Sequence, residues 1–248
     1  MSEYNKIQTI FKRDEKNLIK IGDFTLEEFD ILKNIKWECT EKIDGTNMRF
    51  EIDRKLVSDG NYNVTINIGG KTAAAQIPPK LKAKMDEYAN VIKDLFNEVF
   101  AIKEGETDLH VTLYGEGYGK SIQKVGGQYI KDTVDFILFD VKIGNWWLAR
   151  KDVEDIGSKL GLEVVPLVGY FTIPEACMKV ANGFKSFISE DENLIAEGLV
   201  LRAPCGLCRR DGSRLITKIK YKDFNELETK GGKLGNEILK PIMLMMNN

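Results

Sequence analysis

The chain has 248 residues, of which 43% are hydrophobic and 30% charged, and its formal net charge is −2. A chain of this length and composition can bury a large core without disulfides, which is typical of a soluble globular protein. The near-neutral charge excludes a uniformly basic nucleic-acid-binding protein, but it is compatible with a local basic groove.

The apolar runs of the chain are far shorter than the ~20 residues of a membrane-spanning helix. The N-terminal stretch MSEYNKIQTIFKRDEK is charged and polar and lacks the apolar segment of a signal peptide. We therefore predict a cytoplasmic, intracellular protein that does not enter a membrane. No linker-like stretch or internal repeat divides the sequence, which predicts a single domain over residues 1–248.

The first predicted elements in chain order are a helix at 24–35, strands at 47–53 and 61–68, a helix at 80–100, and strands at 110–120 and 134–143. They are followed by a helix at 151–160, a strand at 163–171, a helix at 172–188, and a strand pair at 197–204 and 214–224. Capping boxes are predicted at Thr25 with Glu28 and at Thr172 with Glu175. Because strands and helices mix without strict alternation, the pattern predicts an α+β fold with largely antiparallel sheets.

The cysteines do not predict a disulfide framework in a chain of this size. Cys205 and Cys208 in CGLC have the spacing of metal ligands, but there is no second pair, and His110 is the only histidine. Since a closed zinc site usually takes four ligands, we interpret CGLC as a turn that carries two thiols.

A lysine in a tight polar sequence, Lys42 in TEKIDGTNMRF, is a candidate nucleophile. A nucleophilic lysine must be neutral, whereas the reference pKa of this side chain is about 10.4, and nearby cations favour the neutral form. Lys218 and Lys220 share one face of a predicted strand because side chains alternate along it. Glu197 begins another strand and Glu116 lies at the end of a third, so these charged groups are able to converge on one cleft.

The joint pattern resembles the covalent nucleotidyltransferase superfamily of ATP-dependent ligases and mRNA-capping enzymes. EKIDGTN is similar to its first motif, LYGEG to the third, FILFDV to the next, EGLVLR to the fourth and TKIKYKDF to the fifth, in family order within residues 41–224. The resemblance implies a nucleotidyltransferase (ATP-grasp-like) domain. Such a domain has two largely antiparallel sheets flanked by helices, with the active site in the cleft between the sheets.

The resemblance also implies roles for the charged residues. Lys42 would attack the α-phosphate of ATP, form a lysyl-AMP and release pyrophosphate. Lys218 and Lys220 would contact the α-phosphate and, as cations, help to keep Lys42 neutral. Glu197 would help to hold a catalytic divalent metal, Mg²⁺ or Mn²⁺, through water.

Other residues would bind the nucleoside. By the same resemblance, Glu116 would accept a hydrogen bond from the ribose and Phe139 would stack on the base. Phe136 is the second candidate for stacking, because alternation places the two rings on opposite strand faces. Plain core packing is the alternative for either ring.

The residues around the nucleophile distinguish the branches of the superfamily. DNA ligases and capping enzymes generally have arginine five residues after the nucleophile, where this chain has Asn47. With Glu41 before the lysine, the motif instead resembles the RNA ligase branch of the phage T4 enzyme that repairs double strands. In that branch the Glu41 position helps to recognise adenine and the Asn47 position contributes to the phosphate site.

A further segment resembles phage-type RNA ligases. GGKTAAAQIPPKL at 69–81 is similar to a family segment that normally reads GRT…AQIP. Lys71 therefore stands where that family usually has arginine, which keeps the charge but loses the bidentate fork. Arg49 is an alternative source of this charge, or else a surface residue on its strand.

Only 28 residues follow Lys220. This length is too short for the OB-fold or helical domain that many relatives append, so we expect a minimal nucleotidyltransferase domain. Candidate RNA-binding clusters are Lys80, Lys82 and Lys84, Arg209 and Arg210, and Lys230 and Lys233. Each cluster is also typical of an ordinary solvated face.

The predicted function is an ATP-dependent RNA ligase that joins 5′-phosphate and 3′-hydroxyl ends through lysyl-AMP and RNA-adenylate intermediates. One alternative is a DNA ligase or GTP-dependent capping enzyme, and another is an inactive module that binds nucleotides or RNA ends. Nicked and single-stranded RNA are both candidate substrates. A partner protein could supply the missing domain, and the motifs are compatible with a phage-encoded protein.

Overall fold

The computed structural model of the protein describes residues 4–58, 61–72, 75–102, 108–233 and 235–246. The chain divides into two compact units. The first comprises Asp44–Val165 together with Tyr4 and Asn5, and the second comprises Lys6–Ile43 and the described part of Pro166–Asn248. The single functional domain inferred from the sequence stays a prediction.

The strands are β1 (Gln8–Thr9), β2 (Phe11–Arg13), β3 (Ile19–Phe24), β4 (Trp37–Lys42), β5 (Thr46–Ser58), β6 (Asn61–Gly70), β7 (Asp108–Gly119), β8 (Val134–Ile143), β9 (Trp146–Trp147), β10 (Leu167–Phe171), β11 (Gly198–Arg202) and β12 (Ile216–Lys220). The α-helices are α1 (Glu27–Ile31), α2 (Pro79–Val99), α3 (Gly126–Tyr129), α4 (Arg150–Leu160), α5 (Ile173–Ala181), α6 (Tyr221–Thr229) and α7 (Gly235–Met246). Within the described ranges, none of these helices is both long and apolar enough to cross a bilayer.

The first unit contains an antiparallel sheet in the order β6-β5-β7-β8-β9. Along β5 the side chains alternate, so that Met48, Phe50 and Ile52 lie in an apolar core that also contains residues of α2 and α4. Asn47 and Arg49 lie on the other face of the sheet. We refer to this second face as the polar face of the first unit.

A bulge interrupts the pairing of β7 with β8. Tyr114 pairs with Asp140 and the next residue, Gly115, pairs with Leu138, so Phe139 is the additional residue on β8. Gly115 is required here, because a Cβ atom at this position would lie 2.3 Å from the ring of Phe136. The bulge sets the position of Phe139 on its strand.

The second unit contains a sheet in the order β1-β12-β11-β4-β10, and β2 and β3 form a separate hairpin. The pair β1–β12 is parallel, and the other pairs of this sheet are antiparallel. Residues of β4, β11 and β12 form a buried core with α5, α6 and α7. The predicted α+β class with largely antiparallel sheets and flanking helices is therefore confirmed.

The prediction for the first helix is largely wrong. A helix was expected at 24–35, but only Glu27–Ile31 is helical, and no side chain caps its N-terminus. The Thr25 hydroxyl instead donates to the backbone carbonyls of Thr9 and Ile10, at 2.7 and 3.3 Å. A tertiary contact therefore replaces the expected capping box.

Other boundaries also differ from the predictions. The helix expected to reach residue 188 ends at Ala181, and the strand expected at 163–171 begins only at Leu167. The last strand ends at Lys220, and α6 begins at the next residue. The capping box at the start of α5 is confirmed, because Thr172 and Glu175 make both of its hydrogen bonds.

Replacing Thr172 with alanine should lower the free energy of unfolding by about 1 kcal/mol, because the substitution removes the hydroxyl that accepts the Glu175 N–H. Chemical denaturation of the purified protein measures this change. Thr172→Ser retains the hydroxyl and should stay close to the wild type. Equal stability of Thr172→Ala and the wild type would show that the capping box contributes nothing.

Candidate active site

The register of three neighbouring strands places two of the predicted lysines around a glycine. Gly198 on β11 pairs with Lys42 on β4 and with Lys220 on β12. Residues directly opposite each other on adjacent strands point to the same face, so both lysines lie on one face of the sheet. Gly198 has a φ of 152°, and a Cβ atom there would lie 1.9 Å from the Ile219 carbonyl oxygen. Only glycine fits this position.

The carboxylate of Glu197 binds both of these lysines. Its Oε2 lies 2.5 Å from Nζ of Lys42 and its Oε1 lies 2.7 Å from Nζ of Lys220. The Lys42 ammonium group also donates to the carbonyl of Ile43, at 3.3 Å. The Glu197 side chain is 14% exposed, so this carboxylate is the main counter-charge for two partly buried cations.

Lys218 lies two residues before Lys220 on β12 and therefore shares its strand face. Burial lowers the pKa of Lys218 to about 8, with further contributions from the positive charges of Lys220 and Lys42. The structure thus brings Lys42, Lys218 and Lys220 together with Glu197, although they are up to 178 residues apart in sequence.

Glu41 lies on the opposite face of β4 and is 1% exposed. Its carboxylate oxygens accept hydrogen bonds from the Ser186 hydroxyl, at 2.5 Å, and from the Phe187 N–H, at 2.8 Å. Burial raises the pKa of Glu41, and these two hydrogen bonds partly offset the effect. The structure does not bring Glu41 to the strand face of Lys42, and its role in recognising adenine stays a prediction.

In the first unit, Asn47 on β5 lies directly opposite Glu116 on β7. Lys71 is exposed and directly follows Gly70, which pairs with Met48, so it lies at the same end of the sheet. Oδ1 of Asn47 is buried without a hydrogen-bond partner among the residues that the structure describes. The other residues of the 69–81 segment include 73–74, which lie outside the described residues.

Phe139 lies apart from the apolar core and contacts an N-terminal side chain. Its ring meets that of Tyr4 edge-on at a centroid distance of 5.0 Å, and the Tyr4 hydroxyl donates to Asp140 at 2.8 Å. Phe136 is fully buried in the core against Phe50, at 5.3 Å. The structure therefore separates the two candidate rings as alternation predicts, and core packing accounts for Phe136 alone.

Arg49 is fully buried, so the alternative of a surface residue is wrong. Its Nε donates to Glu51 at 2.9 Å and its Nη1 donates to the carbonyl of Gly70. A Cβ atom on Gly69 would lie 2.9 Å from the guanidinium carbon, so the glycine leaves room for this side chain. Arg49 thus fixes the backbone immediately before Lys71.

A divalent cation bound near Lys42 would have the Glu197 carboxylate as its protein ligand. Within the described parts of the chain, no group of three or more histidine, cysteine, aspartate or glutamate side chains could hold a metal ion. A site with one carboxylate suits Mg²⁺ or Mn²⁺, which take their other ligands from water and phosphate oxygens. Cys205 and Cys208 lie in an exposed turn.

Several residues of these arrangements were not predicted from the sequence. Ser186 and Phe187 were assigned to a helix, and Tyr4 lies in a stretch with no recognisable pattern. Their contacts join residues between 110 and 146 positions apart. Local periodicity carries no signal for such contacts.

Solved structures of an RNA ligase from Naegleria gruberi are similar to this chain. The structure with PPi has 18% sequence identity and a TM-score of 0.56, and the match covers 94% of this chain and 59% of that chain. A mutant with AMP and Mn has 18% identity and a TM-score of 0.54, covering 91% and 57%. Another mutant, with ATP and Mn, has 19% identity and a TM-score of 0.53, covering 91% and 58%.

The similarity to these structures establishes the fold. The chain spans less than three fifths of the length of each of the three structures. No curated protein matches the chain at a significant level. The family model described as RNA ligase matches residues 35–221, which is well over half of the chain and includes Lys42, Glu197, Lys218 and Lys220. The chain is therefore a member of the RNA ligase family, with the fold of an RNA ligase-type nucleotidyltransferase.

Proposed function

We propose that the protein is an ATP-dependent RNA ligase that joins 5′-phosphate and 3′-hydroxyl ends of RNA. The observation that carries this proposal is the shared carboxylate of Glu197. It lies within hydrogen-bonding distance of both Lys42 and Lys220, which are on one face of the sheet. Membership of the RNA ligase family supports it, as do the related structures that contain ATP, AMP, PPi and Mn.

Lys42 would act as the nucleophile of the first step. After the ammonium group loses a proton to water, the neutral amine attacks the α-phosphorus of ATP and a P–N bond forms. The bond to the departing pyrophosphate breaks, and the nitrogen releases a second proton to water. Lys218 and Lys220 offset the negative charge on the α-phosphate, which is how enzymes accelerate phosphoryl chemistry without a histidine base. Two further transfers would follow. The adenylyl group would move from Lys42 to the RNA 5′-phosphate, and the 3′-hydroxyl would then attack the phosphorus of that 5′-phosphate, forming the phosphodiester bond and expelling AMP.

Glu197 is the residue that would hold a divalent cation, Mg²⁺ or Mn²⁺. When bound, such an ion supplies positive charge that neutralises the phosphate oxygens. Without it, the Glu197 carboxylate keeps Lys42 and Lys220 close together, where their ammonium groups would otherwise repel each other.

The nucleoside contacts are proposed for residues on the first unit and for Glu41. Asn47, whose Oδ1 has no hydrogen-bond partner among the described residues, would contribute to the phosphate site together with Lys71. Glu116 would accept a hydrogen bond from the ribose, and Phe139, which lies outside the core, would stack on the base. Glu41 would act in adenine recognition through the segment that its carboxylate holds.

We further propose that residues 1–248 act as one minimal nucleotidyltransferase domain. RNA is the proposed substrate. A partner protein that supplies substrate specificity is compatible with the chain covering less than three fifths of the related ligases.

Incubation with α-labelled ATP and Mg²⁺ or Mn²⁺ should attach label to the protein through an acid-labile, alkali-stable bond. Lys42→Ala should attach none, because the nucleophilic amine is gone. Lys36→Ala is the matched control, since Lys36 is exposed, pairs with Glu175 and should not affect labelling. Label on Lys42→Ala would identify a different nucleophile, and label from GTP alone would contradict the ligase proposal.

The substrate is tested separately with 5′-phosphorylated nicked RNA, single-stranded RNA and nicked DNA. Ligated product should form from RNA strands with a 3′-hydroxyl and be absent when that hydroxyl is blocked. Sealing of nicked DNA in preference to both RNA substrates would make the protein a DNA ligase instead.

The rate of lysyl-AMP formation should depend on the charge of Lys218 at alkaline pH. Because its pKa is lowered to about 8, Lys218 loses its positive charge as the pH rises through this value, and the contact with the α-phosphate weakens. Lys218→Arg keeps the charge, so its rate should decline less than that of the wild type above pH 8. Identical alkaline limbs in the two pH profiles would assign the decline to another group.

Glu197→Gln should lower the rate of lysyl-AMP formation on the order of 10²-fold, which is typical for the loss of one preorganised electrostatic group. The amide neutralises neither lysine and is a weak ligand for a divalent cation. Glu38→Gln is the matched control. Glu38 lies on the same face of β4 as Lys42, but it pairs with Arg202. Equal rates for the two variants would remove Glu197 from the proposed mechanism.

A further inference from the structure

A groove of about 550 Å³ lies in the second unit, between the turn of the β2–β3 hairpin and the C-terminal end of α6. Its floor is apolar, since Leu18, Ile19 and Leu227 are at most 7% exposed. The volume lies within the range of small-ligand sites. The residues of the proposed nucleotide site do not line this groove.

The groove is rich in positive charge. Its cationic lining residues are Arg13, Lys16, Lys20, Lys230 and Lys233, and its acidic ones are Asp14 and Glu15. In the described part of the chain, the exposed side chains of Lys16, Lys20 and Lys233 form no ion pair. The Asp14 carboxylate accepts hydrogen bonds from the backbone N–H groups of Lys16 and Leu18, so it is directed into the hairpin turn. The three lysines thus lack a direct ion-pair partner, although Lys20 contributes, after Lys12, to lowering the pKa of the Asp23 carboxyl.

Contacts of one arginine connect the two walls of the groove, the β2–β3 hairpin and α6. Arg13 on β2 binds the carboxylate of Asp223 on α6 at 2.8 Å, and it also donates to the carbonyl of Asn17 in the hairpin turn at 2.9 Å. Asp223 is 7% exposed, and a partly buried ion pair with two hydrogen bonds is more rigid than a surface pair. Arg13 therefore joins the hairpin turn to α6 before a ligand binds.

Other basic clusters of the chain differ from this one. Lys82, Lys84 and Arg209 each form an ion pair with a nearby carboxylate, which reduces their positive charge toward a polyanion. Stabilisation of the α6 C-terminus accounts for Lys230, which also pairs with Glu226. It does not account for Lys16 and Lys20, which belong to the hairpin.

The groove lies within reach of a strand that ends at the proposed catalytic lysines. Helix α6 begins directly after Lys220 and runs to Thr229 at the edge of the groove. Its nine residues span about 14 Å at 1.5 Å per residue. A nucleic-acid strand places several phosphates within this distance, since its charges repeat every few ångströms.

We propose that this groove binds the phosphodiester backbone of the RNA substrate a few nucleotides from the end that reacts at Lys42, an inference that rests on the proposed ligase function. Lys16, Lys20 and Lys233 contact phosphates as point charges and release counterions, so the binding is independent of sequence and sensitive to salt.

The test measures binding of a short, fluorescently labelled, 5′-phosphorylated single-stranded RNA in a series of salt concentrations, without ATP. The triple variant Lys16→Gln/Lys20→Gln/Lys233→Gln should raise Kd about tenfold or more at low salt. The slope of log K against log salt should become shallower by about 2, because each lost phosphate contact removes about 0.7 from a single-strand slope.

A second triple variant, Lys55→Gln/Lys93→Gln/Lys151→Gln, removes the same charge from exposed positions of the first unit and should leave the salt slope unchanged. Glu15→Lys adds a cation to the groove and should tighten RNA binding, a gain that misfolding cannot produce. Equal losses in both triple variants, unchanged binding in the groove variant, or weaker binding by Glu15→Lys would each overturn the proposal.

Lysyl-AMP formation is measured on the same proteins and should be unchanged in the groove variant, because no groove residue is assigned to the nucleotide site. A parallel loss of lysyl-AMP would overturn the proposal, since the groove would then serve the nucleotide. Absence of lysyl-AMP in the wild type would contradict the proposed function, whereas the RNA-binding measurement would still test the groove.

Discussion

The arrangement of the second unit depends on one carboxylate shared by two ammonium groups. Lys42, Lys218 and Lys220 lie on one face of a small sheet, where three uncompensated positive charges in a partly buried setting would repel each other. Glu197 compensates two of them directly, at 2.5 and 2.7 Å. The third, Lys218, is left with a lowered pKa, and burial is the main reason. The charge balance among these four residues is therefore what a phosphate group would alter under the proposed function.

The backbone makes this sharing possible. Gly198 pairs with both lysine-bearing strands, and its lack of a side chain lets its backbone approach that of Ile219 and Lys220 closely. Because Glu197 directly precedes this glycine, its side chain reaches both neighbours. The first unit uses a different device, in which buried Arg49 is neutralised by Glu51 and holds the carbonyl of Gly70. In both units a charged side chain fixes the strand ends that carry the proposed contact residues.

Features set by local pattern were predictable from the sequence. The amphipathic stripe of α2, the capping box of Thr172 and the common strand face of Lys218 and Lys220 depend only on residues a few positions apart. The grouping of Lys42 with Glu197 required the resemblance to a family, since 155 residues separate them. The contacts of Thr25 and Glu41 could not be predicted, because their partners Thr9 and Ser186 lie 16 and 145 positions away in sequence.

The bulge at Phe139 has a consequence for the tolerance of β8 to changes in length. Leu138 and Val141 both belong to the apolar core although they are three positions apart, which regular alternation would not allow. The additional residue resets the alternation halfway along the strand. Removing Phe139 would leave Leu138 and Val141 two positions apart in a regular ladder, so the apolar side chains of both halves of the strand would still face the core. A deletion of Phe139 is therefore compatible with the core of the first unit, whereas one extra residue inserted into a regular half of β8 would turn the side chains beyond it to the opposite face.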